Sequence, residues 1–128
     1  MGKYANPLVM DNGLNYVKDN SLWVCLCQGQ PLDYAEATTL INNNGKLIAE
    51  TGVLPTDFVL GNATPSGRKL VVPEKSGIEV NLSGTLDHIA LVSGTDLLFV
   101  TNITNAQIVY NGNTVTIPAW EITIAAPV

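Results

Sequence analysis

One dipeptide in the chain sets a carboxylate beside an imidazole: Asp87-His88, where His88 is the only histidine. With a serine nucleophile such a pair would make a hydrolytic triad, the carboxylate orienting the ring and the ring taking the proton. Alternating hydrophobicity puts the dipeptide on a strand, where neighbours face opposite ways, so Asp87 is not expected to orient His88. No Gly-x-Ser-x-Gly elbow is present. The expectation is a neutral His88 beside Ile89, held by a hydrogen bond. Cys25 and Cys27 are the only cysteines, at i and i+2 on one strand face. A direct disulfide would be strained, because their Cβ vectors do not converge. A metal would need further soft ligands, and His88 is far away in sequence. Both cysteines read as small buried hydrophobes.

The eleven acids are scattered over turns and polar strand faces. They do not supply the facing pair that glycoside hydrolysis requires. The Asp-rich spacing of an EF-hand loop is absent. Trp23 and Trp120 would stack sugars if exposed, but each lies in an apolar run, so a core role is expected. Ser66-Gly67-Arg68-Lys69 is the one basic spot, after a loop, and suits an acidic neighbour. The residues carry no catalytic, cofactor or metal signature, and no enzyme is expected.

At 128 residues the chain suits one β-rich domain, 1–128, large enough for a core without staples. Charged residues are 13%, about half the ~25% usual in globular domains. Asn, Thr and Gly take their place. Such a surface buries readily against partners, because few ions must be desolvated. Net charge is −5 with no cluster of four basic residues, which disfavours nucleic acid. No apolar run is long enough to span a membrane as a helix. The opening MGKYANPLVMDNG lacks a signal-peptide core, so the expectation is a chain made and kept in a cytoplasm.

Asn6-Pro7 opens a helix over about 7–19, with Asn6 as N-cap and Met10, Leu14 and Val17 as an apolar stripe. Strands follow from about 22 to 125. Residues 22–26 are a continuous apolar strand. Asp33 caps a short helix over 34–40, with Glu36 as capping-box partner. Residues 46–51, 58–60 and 68–72 are strands, with turns at Gly61-Asn62 and at 64–67.

Residues 76–103 carry the strongest β signal, three strands parted by Ser83-Gly84 and by residues 93–96. In the second, Leu86, Ala90 and Val92 are expected on one face and Ile89 and Leu91 on the other. The second and third strands are apolar on both faces, which places them at the centre of the fold and not at an edge. Residues 107–110 and 114–117 form a hairpin about Asn111-Gly112-Asn113. Pro118 marks an edge or a bulge. Trp120, Ile122 and Ile124 share a face. The expected fold is mainly β, an antiparallel β-sandwich or partly closed barrel with a short N-terminal helix.

Several stretches then fall into a pattern. They are Leu14-Asn15-Tyr16-Val17, residues 31–37 (PLDYAEA), Ser66-Gly67-Arg68-Lys69-Leu70, Ser83-Gly84-Thr85, residues 87–92 (DHIALV), Gly112-Asn113-Thr114 and residues 118–122 (PAWEI). Across nearly its whole length the chain resembles the head decoration, or capsid cement, proteins of tailed bacteriophages. The resemblance implies a structural virion protein, made in the bacterial host cytoplasm and bound to the capsid surface. There it would bridge neighbouring major capsid protein subunits, weak contacts gaining strength by multivalency. It also implies a homo-oligomer, dimer or trimer. Partner contacts are expected from the loops carrying Ser66, Gly67, Arg68 and Lys69 and carrying Asn111 and Asn113, or from an edge strand. The alternative is a β-sandwich binding module on the phage head or tail that recognises host carbohydrate or a receptor.

If residues 76–103 hold the core, a deletion within them abolishes folding. Soluble protein with a cooperative urea transition after such a deletion would refute this assignment.

Overall fold

The computed structural model describes residues 7–64 and 66–124. The expected N-cap Asn6, the side chain of Met10 and residues 126–128 lie outside that description. Helix α1 (Pro7–Asn20) leads into β1 (Trp23–Cys27), and α2 (Tyr34–Thr38) into β2 (Leu47–Gly52). Then come β3 (Val59–Asn62), β4 (Arg68–Val72), β5 (Lys75–Glu79), β6 (Gly84–Val92), β7 (Leu97–Val109), β8 (Thr114–Ile117) and β9 (Trp120–Ile124). One sheet has the order β2-β1-β6-β7, a second β3-β4-β9, and β5 pairs with β8. All these pairings are antiparallel. The fold is mainly β and sandwich-like with an N-terminal helix, as expected, and no closed barrel forms among the described residues.

The main core lies between the two sheets. Leu26, Ile48, Leu86, Ile89 and Leu91 meet Leu70, Val72 and Ile122 there, and Leu14 of α1 joins them. α1 packs on β4 and β3. Its end is closed by Ser21, whose N–H and hydroxyl both donate to the Val17 carbonyl (3.0 and 2.6 Å). Phe99 of β7 stacks on Trp120 of β9, ring centroids 5.9 Å apart, tying the sheets together. The opposite face of the first sheet has a smaller core of Cys25, Cys27, Ala90 and Val92, covered by Ala37 of α2 and Leu47.

α2 begins where its cap was expected: Asp33 accepts the Glu36 N–H at 2.8 Å, and Glu36 accepts the Leu32 N–H at 2.9 Å. It stops at Thr38 and not at 40, because the next residues pair with β2 instead. The Leu47 N–H donates to the Thr39 carbonyl, and Leu40 bridges Leu47. Gly45 permits the crossing, since a Cβ there would stand 1.8 Å from that carbonyl oxygen.

Other expectations are overturned. Gly61 and Asn62 belong to β3, not to a turn, and the Ala63 N–H after them donates to the Gly67 carbonyl. Residues 97–103 and 107–110 are not separate strands, because β7 runs through both, with its register to β6 broken between Leu86 and His88. Opposite the single residue Asp87, β7 inserts residues 103–106. Leu86 consequently leaves the face of Ala90 and Val92 and joins Ile89 and Leu91 in the main core. β6 is central, but β7 is the edge of its sheet. The turn about Asn111-Gly112-Asn113 exists, with the Asn113 N–H donating to the Tyr110 carbonyl and Gly112 at φ 89°. Yet β8 pairs with β5 and not with β7: Val80 takes up the turn, donating to the Asn113 carbonyl and accepting the Gly112 N–H. Pro118 sits where the chain leaves the β5–β8 pair for the second sheet.

Leu91 is fully buried at this centre. Leu91→Ala is expected to cost about 3 kcal/mol, the usual range for an unrelaxed leucine cavity. Urea denaturation checks it, and a loss below about 1 kcal/mol would place Leu91 outside the core.

Candidate functional site

The break in register at Asp87 reverses the expected geometry of Asp87 and His88. They do not face apart: His88 Nδ1 lies 2.9 Å from Asp87 Oδ1. An ionised carboxylate only accepts, so the ring nitrogen donates. Asp87 Oδ1 also accepts the Gly29 N–H at 2.7 Å, and the Gln28 side chain accepts the Thr85 N–H at 2.8 Å. Together these bonds continue the β1–β6 contact past the end of β1. Burial alone would raise the Asp87 carboxyl. The hydrogen bonds from His88 and Gly29 and the charge of His88 outweigh it and hold the group below the ordinary carboxylate range.

The register also brings in a third group. Cys27 is the cross-strand partner of His88 and feels the charge of Asp87, so the three residues are neighbours at one corner. Residues 60 and 61 positions apart gave no sequence signal for this closeness. The set is not armed for nucleophilic attack. A reactive thiol needs a lowered pKa, whereas burial, with the Asp87 charge behind it, pushes Cys27 up to about 12. Burial chiefly, then Cys27 and Glu50, raises Cys25 as well. Both thiols are free and buried, as the sequence predicts. Among the described residues no three His, Cys, Asp or Glu side chains gather to hold a metal ion.

The expected contact residues occupy two separate places. Ser66 is exposed beside Gly67, which has φ 92°. Arg68 donates from Nε to Asp11 Oδ1 at 2.7 Å and from Nη1 to Asn62, fastening β4 to α1 and β3. Lys69 donates to Glu121 at 2.9 Å across the β4–β9 pair. Both cations are therefore engaged inside the fold. Asn111 and Asn113 are exposed at the turn before β8, and Ser83 Oγ accepts the Asn111 N–H at 2.9 Å.

Two surface features escaped the sequence pattern. Trp23, expected in the core, is 42% exposed, while Trp120 is half-buried against Phe99. Leu22, 49% exposed, accepts the Val53 N–H at 3.0 Å, which places Leu54, 63% exposed, beside it. Leu22, Trp23 and Leu54 are thus three exposed apolar residues near one end of the first sheet. Second, open clefts flank β7. One of about 390 Å³ is lined by Thr101, Ile103, Asn105, Pro118 and Trp120. Another of about 300 Å³ separates Ile108 and Tyr110 from Thr114 and Thr116.

No family model, curated protein or solved structure matches this chain.

Asp87 makes stability depend on pH with a defined sign. Its folded pKa lies below the unfolded value of ~3.9, so its contribution is present above that value and lost as pH falls through the folded one. Asp87→Asn is expected to cost about 1 kcal/mol at pH 7, discounted for partial exposure. The gap to the native chain should narrow in urea titrations as pH falls below the unfolded value of ~3.9. A gap unchanged over that range would show that the charge of Asp87 contributes nothing.

Proposed function

We propose that this chain is a structural virion protein, a decoration or cement protein that binds the outside of a phage capsid and bridges major capsid protein subunits without catalysis. The observation that carries the reading is the exposure of Leu22, Trp23 and Leu54 near one end of the first sheet, beside its buried core. Large apolar residues left exposed near one another suit a docking surface, and a large aromatic such as Trp23 is a usual anchor. The sparse charge of the chain supports the same role, because a weakly ionic surface loses little on burial against a lattice. The resemblance of the sequence to cement proteins supplies the partner. The Cys27-His88-Asp87 corner fits as a rigid structural joint, its thiol protonated and its carboxylate bonded to the backbone.

Exposed Trp23 also favours a second reading, a module that stacks host carbohydrate on that ring. One comparison separates the two. The cement reading expects the protein in purified virions by mass spectrometry. It also expects Trp23→Ala to weaken binding to emptied heads by about tenfold or more, as an anchor residue should. Absence from virions refutes it. Glycan-array binding that Trp23→Ala abolishes would establish the alternative.

A further inference from the structure

We propose that the outer edge of β7 is a homodimer interface, where β7 pairs antiparallel with β7 of a second copy. The inference does not rest on the capsid reading, since a free dimer forms whether or not the protein joins a lattice.

Edge strands invite pairing with another chain, and soluble proteins blunt them by shortness, charge, proline or a covering segment. The other edges here follow that rule. β2 carries Glu50, its Leu47 N–H is bonded to Thr39, and its Ile48 carbonyl accepts the Asn81 N–H. β3 has four residues, and β9 carries Glu121. β7 differs on most of these counts. It runs for 13 residues, pairs only with β6 among the described residues, and contains neither proline nor charge. Residues 97–120 as a whole hold no Asp, Glu, Lys, Arg or His. The one protective device is the break in register at residues 103–106.

Charge selects the occupant. The molecule carries −5, and every ionic side chain lies outside residues 97–120. Two copies repel where their acidic faces meet; β7 itself carries no ion, and Glu121, which lines the cleft beside residues 101–105, is paired with Lys69. A basic partner would gain nothing from this strip and more from the acidic surface elsewhere. A neutral, extended, Thr- and Asn-bearing strand matches it, and the same strand in a second copy is such a partner. The pairing is isologous, one patch meeting itself, so it closes as a two-fold dimer. Residues 99–102 keep an unbroken register with β6 and supply the regular edge. The insertion that follows limits the ladder to that segment.

Sedimentation velocity of the full chain is expected to show a dimer whose fraction rises over roughly 1–200 µM, the weak range of small interfaces. Asn102 is exposed. Asn102→Lys sets like charges close across the two-fold and should move the midpoint up by about tenfold, with the thermal melt of the monomer unchanged. A cysteine series tests the geometry, because opposed strand residues lie ~5.5 Å apart at Cα, within disulfide range, and the native thiols are buried. Thr101→Cys or Asn102→Cys should give a disulfide-linked dimer faster than Thr56→Cys, an exposed site elsewhere. A native chain that stays monomeric throughout, a midpoint unmoved by Asn102→Lys, or no faster cross-linking at 101 or 102 would each overturn the proposal. The first result would leave the edge to an extended arm of a different protein.

Discussion

Strand β6 must be covered on both faces, and the rest of the molecule follows from that need. Ile89 and Leu91 point into the space between the sheets, while Ala90 and Val92 point away from it. The first face is closed by the second sheet and α1. The other has only α2, five residues long, with Leu47 and the side chains around it. So short a helix cannot hold itself together by propensity. Its capping bonds at Asp33 and Glu36, and the Thr39–Leu47 crossing behind it, fix it where the small cysteine-lined face needs a lid. The small size of Cys25, Cys27 and Ala90 follows: a thin cover leaves no room for larger side chains.

The polar corner at Asp87 solves a related problem. β6 has to leave one alignment with β7 and enter another, and the carboxylate satisfies the Gly29 N–H that the end of β1 would otherwise leave unpaired. The β1–β6 alignment sets Cys27 across from His88 beside this carboxylate. Whether such an arrangement has chemistry depends on the thiol, and burial has raised that thiol instead of lowering it.

Much of the fold was legible because local signals and burial agree. The capped start of α2, the turn at 93–96 and the shared face of Trp120, Ile122 and Ile124 all appear where the pattern puts them. The failures share one cause, that periodicity describes a strand and not its neighbours. Asn111-Gly112 makes its turn, but Val80 competes for the backbone groups beside it, so the flanking strands part. β7 is as apolar as a central strand yet lies at the edge. Trp23 sits in an apolar run at the end of its sheet, where no layer covers it. Leu86 obeys alternation until an irregularity that its own sequence does not announce. The contact loops were chosen by composition, which could not reveal that Arg68 and Lys69 are engaged by Asp11 and Glu121.

The pairing of β1 with β6 also governs how the chain comes into being. Trp23 meets Val92 and Cys27 meets His88, so β1 has to wait for residues 61 to 69 positions later. At ribosomal speed that interval is on the order of seconds. Meanwhile β1, one of the most apolar segments, has β2 as its only available neighbour, and a two-stranded ribbon is marginal in water. The nascent chain therefore passes through a window in which its future core is adhesive and unfinished, and slow non-local closure ends it. Yield in a cell then depends on what shelters that ribbon as much as on the stability of the finished fold.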